Sequence, residues 1–145
     1  MLAEKAKCSD DLICSSLLHD YGHFILENPD ELVKLNIDGQ HENIGYEYLK
    51  SFFKKEVVDP IKYHVLAKRY LANDEKYFSL LSEASITSLE LQGGVLNSEE
   101  CEKFEAQEYF KPSILLRKFD EAAKKTGIKM KSIHEYQKLL SSKLI

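Results

Sequence analysis

The segment Leu17-Leu18-His19-Asp20-Tyr21-Gly22-His23 sets three metal-competent side chains within five residues, behind an apolar pair. Neighbouring residues of one α-helix point about 100° apart. His19 and Asp20 therefore serve one common point only where a helix bends or ends. An Asp beside a His in an apolar setting is costly unless it is paired or metal-bound. The segment thus asks for helices meeting at a bend, with further polar partners brought in from elsewhere in the chain.

The remainder of the chain is compatible with that demand. Its 145 residues suit one compact domain, and a hydrophobic share of 43% provides a core. Apolar positions recur at helical spacing almost throughout, with no convincing strand alternation, internal repeat or linker. The expectation is one all-α domain over residues 1–145. A helix follows the capping cluster Ser9-Asp10-Asp11. Residues 28–39 read as a loop, and 42–53 as a helix. Asp59-Pro60 reads as a helix start, with Pro at the first helical position. Further helices are predicted from about Asp74, over 84–92 with a stop at Gly93-Gly94, from Ser98 through Phe104, from Lys111-Pro112 to about Lys125 with closure at Gly127, and over 132–144.

Charge and cysteine usage narrow the class. The net charge of −4 argues against generic nucleic-acid binding. No apolar run approaches the length needed to span a bilayer. The start Met1-Leu2-Ala3-Glu4-Lys5 is charged rather than signal-like, which predicts a cytoplasmic protein. Cys8, Cys14 and Cys101 are odd in number and form no CxxC pair, so free thiols in a reducing compartment are expected.

Four of the five histidines form a set with two aspartates. His19 and His23 lie one helical turn apart, His41 opens a helix after Gly39, His64 lies mid-helix, and Asp120 lies in Arg117-Lys118-Phe119-Asp120-Glu121. His134 reads as a surface residue. Taken singly, each has an ordinary reading as a solvated or hydrogen-bonded side chain. Imidazole and carboxylate ligands together suit iron, manganese or zinc without choosing among them.

The set is the arrangement of the HD-domain superfamily, and other segments narrow the likeness. These are Gln40-His41-Glu42-Asn43-Ile44-Gly45, His64-Val65-Leu66-Ala67-Lys68-Arg69-Tyr70-Leu71, Leu81-Ser82-Glu83-Ala84-Ser85, Leu91-Gln92-Gly93-Gly94 and Arg117-Lys118-Phe119-Asp120-Glu121. From Ser16 to about Leu140 the chain resembles the small HD-domain di-iron oxygenases of organophosphonate breakdown. The resemblance implies a helical bundle holding a mixed-valence Fe(II)/Fe(III) pair, with O2 as co-substrate and a small 1-hydroxyalkylphosphonate as substrate. It implies that Asp20 bridges the irons, that His19 and Asp120 complete one site, and that His41 and His64 bind the other. His23 would point into the substrate pocket, while Lys68, Ser85, Ser88, Gln92 and Arg117 would hold the phosphonate. Asp20, His23 and Lys68 would carry the catalytic roles. A phosphonate dianion does call for Lys, Arg and neutral donors together. Ser88 stands where the family pattern has Thr, and the hydroxyl is kept. Without the resemblance, Ser85, Ser88 and Gln92 read as a solvated helix face.

The resemblance also implies one further histidine, on a helix ahead of the HD pair, at a position before Met1. Met1 to Ala6 reads as the back half of that helix. The expectation is an HD domain incomplete at its N-terminus, binding metal at His41 and His64 and holding the other ion more weakly. Two other readings remain open from the residues. One is a metal-dependent phosphohydrolase of the wider HD class, acting on a phosphate ester or nucleotide. The other is a non-enzymatic relic serving as an interaction module.

Overall fold

The computed structural model describes residues 1–26, 38–124 and 131–145. Helices dominate these residues, and the only β pairing among them is an isolated antiparallel bridge between Phe53 and Leu144. The all-α expectation holds. In chain order the elements are α1 (Leu2–Lys5), α2 (Asp10–Leu18), α3 (Tyr21–Ile25), α4 (His41–Leu49), α5 (Lys55–Leu71), α6 (Glu75–Phe78), α7 (Glu83–Leu91), α8 (Ser98–Glu105) and α9 (Phe110–Ala123). A 3-10 turn, Ile133–Tyr136, then leads into α10 (Gln137–Ser142). No described helix is long and apolar enough to cross a membrane, and all three cysteines are free.

The longest helix, α5, is the spine. It packs against α9, α4 and α2, and Val57, Ile61 and Ala67 along it are completely buried. Cys14, Leu49, Phe53, Val58 and Ile61 form one part of the core, and Ala67, Leu96 and Phe104 another. The Ser15 hydroxyl lies 2.7 Å from the Val57 carbonyl and ties α2 to α5. At the start of α9 the rings of Tyr63 and Tyr109 stack with centroids 3.7 Å apart. These ties fix the helices that carry His19, His64 and Asp120.

Several boundaries differ from the sequence expectation. The helix expected to start at Asp59-Pro60 starts at Lys55, and Pro60 lies inside it. Pro60 removes the amide that would bond the Glu56 carbonyl, but Val57 and Ile61 on either side are fully buried, and their packing carries the helix through. The helix expected over 42–53 runs His41–Leu49, which leaves Phe53 to meet Leu144. The helix from Asp74 is a single turn, capped by the Asp74 side chain. The last helix is broken into the 3-10 turn and α10. The Gly93-Gly94 stop is as expected: Gly93 has φ of 101°, a conformation that side chains disfavour. Most of the loop expected over 28–39, and the closure at Gly127, lie outside the described residues.

Candidate metal centre and anion pocket

His19 and Asp20 sit where the backbone changes direction. α2 ends at Leu18 with His19 as its C-cap, and Asp20 is the N-cap of α3. The bend that the adjacent pair demanded is therefore present. Gly22 makes it possible for α3 to lie against α4: a Cβ there would stand 1.9 Å from the His41 carbonyl oxygen. On the other side Gln40 adopts a left-handed conformation, φ 47°, and turns the chain so that His41 enters α4 facing the pair.

Three imidazoles are oriented by their Nδ1 atoms. His19 Nδ1 is 3.1 Å from the Ser16 carbonyl oxygen, and His64 Nδ1 is 2.6 Å from that of Ile61. An Nδ1–H donating to each carbonyl leaves Nε2 as the lone-pair nitrogen. His41 has Nδ1 3.5 Å from Oε2 of the buried Glu42. All three Nε2 atoms then face Asp20 or one another. His41 Nε2 lies 3.1 Å from His64 Nε2 and 3.7 Å from Asp20 Oδ1. His19 Nε2 lies 3.3 Å from Asp20 Oδ2 and 3.6 Å from Asp120 Oδ1.

Two ligand groups result, each with its donor atoms within 4.8 Å of one another: Asp20, His41 and His64, and His19, Asp20 and Asp120. Asp20 belongs to both. His19 Nε2 is buried and, among the described residues, in hydrogen-bond geometry with nothing. Two imidazole nitrogens that face each other at contact distance likewise need a proton or a cation between them. The residues present therefore fit a pair of metal ions.

The electrostatics point the same way. Burial pushes His41 down to about 4, with His23 adding to the effect. Burial also pushes His64 down, helped by His19 and His41. Burial opposes charge on His19, but the Asp120 and Asp20 carboxylates raise it to about 10. Burial would raise both carboxyls. His19 nevertheless holds Asp20 far below the usual carboxylate range, and His19 with Arg117 lowers Asp120 to about 2. Ionised carboxylates facing the uncharged His41 and His64 make a donor set complementary to a cation, and at His19 a cation would take the place of the proton that Asp20 and Asp120 hold there.

The groups open onto a cavity of about 540 Å³. Asp20, His23, His41, His64 and Asp120 line it, together with Lys68, Ser85, Ser88, Gln92 and Arg117. His19 stands behind the lining. His23 is half exposed, stacked on the His41 ring at 4.0 Å and 3.9 Å from Asp20 Oδ1. Lys68 is buried and donates to Ser88 Oγ at 2.8 Å. Gln92 has a buried amide oxygen without a hydrogen-bond partner among the described residues. Its position is fixed by the turn behind it, where Arg69 Nε donates to the Gly94 carbonyl at 2.8 Å. Arg117 reaches the cavity, but its guanidinium is already engaged with the Tyr77 hydroxyl, Asp120 and Glu121.

Sequence reasoning missed Glu42, Tyr77, Glu121 and Lys124. Lys124 also lines the cavity and donates to Ser85 Oγ at 2.7 Å. Its signal was present, since 117, 120, 121 and 124 repeat at helical spacing on α9. Tyr77 arrives from a separate element and left no such signal.

No family model matches the chain. It is 42% identical over 137 residues to hydroxymethylphosphonate dioxygenase of Gimesia maris, covering 93% of this chain and 68% of that protein. It is 42% identical over 128 residues to [1-hydroxy-2-(trimethylamino)ethyl]phosphonate dioxygenase (glycine-betaine-forming) of Leisingera caerulea, covering 88% of this chain and 65% of that protein. A third relative, the uncharacterized protein L432 of Acanthamoeba polyphaga mimivirus, is 35% identical over 144 residues, covering 97% and 65%. The chain thus spans about two thirds of the length of each relative. On the strength of these matches the chain belongs to the hydroxyalkylphosphonate dioxygenase family.

Proposed function

We propose that this protein cleaves the carbon–phosphorus bond of a small 1-hydroxyalkylphosphonate oxidatively, with O2 and two iron ions, and releases phosphate. The observation that carries the reading is the sharing of Asp20 between two ligand groups that meet one cavity with Lys68, Ser88 and Gln92. His19, Asp20 and Asp120 would hold one iron, and Asp20, His41 and His64 the other. The bound pair supplies the oxygen-activating redox chemistry.

The protein's own groups do the rest. Lys68 and Arg117 offset the charge of the phosphonate, and Ser88 and Ser85 line the cavity beside them and orient the ammonium groups of Lys68 and Lys124. The unpartnered Gln92 oxygen accepts from a hydroxyl or amine of the substrate. His23, half exposed beside Asp20, exchanges protons between the cavity and solvent. The reaction balances for the one-carbon substrate. Hydroxymethylphosphonate and O2 give formate and phosphate, and each product gains one oxygen atom.

The test is stoichiometry. Iron-loaded protein should consume O2 and release phosphate in equal amounts from a 1-hydroxyalkylphosphonate, and do neither without oxygen. Anaerobic release of phosphate from a phosphate ester, with no oxygen uptake on hydroxyphosphonates, would replace this reading with the phosphohydrolase one.

A further inference from the structure

Behind the phosphonate end of the cavity one carboxylate oxygen organises three donors. Glu121 Oε2 accepts from the Arg117 guanidinium, from Ser85 Oγ at 3.2 Å and from Lys124 Nζ at 3.1 Å. Arg117, Ser85 and Lys124 all line the cavity, and Glu121 does not. Its side chain is only 11% exposed. The cluster is closed on itself: Lys124 also donates to Ser85 Oγ, Ser82 Oγ lies 3.0 Å from Ser85 Oγ, and Arg117 spans Glu121 and Asp120.

A buried carboxylate here has two opposite consequences for an anion. Its charge repels a phosphonate a few ångströms away and cancels one of three nearby cations. Its hydrogen bonds remove the rotamer freedom of an Arg and a Lys, whose ordering otherwise opposes binding. Both guanidinium and ammonium are flexible until something behind them holds them. The single-oxygen convergence favours the second consequence, because all three donors share that one acceptor.

We propose that Glu121 is the positioning residue of the anion end. It holds Arg117 and Lys124, directly and through Ser85, so that their remaining N–H donors face the oxygens of a phosphonate or phosphate group. It acts through those residues and does not touch the substrate. The inference rests on the reading of the cavity as a phosphonate site.

The two consequences predict opposite signs, which makes the test direct. Inorganic phosphate is titrated calorimetrically into iron-loaded wild type, Glu121→Ala and Glu121→Gln. Positioning predicts that Glu121→Ala weakens phosphate binding about tenfold or more, the scale of a lost charge-assisted hydrogen bond. It also predicts a raised KM with a smaller change in kcat, and unchanged iron content. Glu121→Gln keeps a carbonyl acceptor and the shape, and should recover part of the loss; it also serves where the alanine variant does not fold. Phosphate binding that tightens or stays constant in either variant overturns the proposal, because only the repulsive charge would then matter. A wild type that binds phosphate yet takes up no oxygen counts against the oxygenase reading alone. A wild type that does not bind phosphate overturns the anion-end assignment itself.

Discussion

Asp20 and Asp120 differ in what depends on them. Asp20 stands in both ligand groups, whereas Asp120 stands in one. Asp20→Ala is expected to abolish binding of both ions, and Asp120→Ala to leave one ion at His41 and His64. Iron stoichiometry by elemental analysis separates the cases, and equal loss in the two variants would contradict the bridging role. Lys68 gives a second prediction. Burial, reinforced by Arg117 and Lys124, lowers its pKa to about 7. Above that pH the folded protein has released a proton that the unfolded chain still holds, so this group makes stability rise as pH climbs from about 7 toward the ordinary lysine range. An incoming anion reverses the balance and draws the proton back. Phosphate binding at pH 8 should take up about one proton, seen as a dependence of the measured heat on buffer ionisation enthalpy. Lys68→Met should remove that dependence.

At the scale of elements, the close approach of α3 and α4 does most to assemble the centre. Gly22 opposes Gly45 there, and the His41 carbonyl fills the place of a Gly22 side chain. Gly22→Ala has to part the two helices. Overpacking of this kind costs about 3 kcal/mol, and His41 moves with its helix. Denaturant unfolding should show the loss of stability, and metal titration should show weakening at the His41–His64 group more than at His19–Asp120. Unchanged metal binding would mean that α3 alone sets the site. α9 acts differently: the helix and its C-cap residue Lys124 present the candidate ligand Asp120 together with Arg117, Glu121 and Lys124 within two turns. The proposed metal and substrate groups are thereby held on a single rigid element.

Across the whole molecule, α5 couples core and centre. The helix that buries Val57, Ile61 and Ala67 also carries His64 and Lys68. His19 and Asp120 come from α2 and α9, two of the helices that pack on it. Metal binding should therefore report in global stability. Ferrous iron at 100 times its Kd adds about 2.7 kcal/mol by linkage, roughly 5–10 °C in Tm for a chain of this size. Asp20→Ala should show no iron-dependent shift in Tm. A wild-type Tm indifferent to iron would speak against a preformed centre.

The helical class was legible in the sequence because the 3.6-residue period and the caps at Ser9, Asp74 and Gly93 are local properties. The candidate ligands stood out only through the family resemblance, since each His and Asp alone reads as a solvated side chain, whereas the bend at His19-Asp20 followed from adjacency alone. Local signals failed where packing outweighed them. Pro60 reads as a start, yet buried neighbours carry α5 through it, and the terminal pattern breaks into two pieces. Side-chain commitments were likewise invisible. That Arg117 is shared among Tyr77, Asp120 and Glu121, and that Lys124 joins the cavity, depends on helices distant in sequence coming within hydrogen-bond reach. The sequence determined which side chains the chain can offer to a metal or an anion, since residue type and helical register are written locally. Only the tertiary structure decided which Nε2 atoms converge and which charges cancel, since those depend on distances between elements that no local pattern encodes.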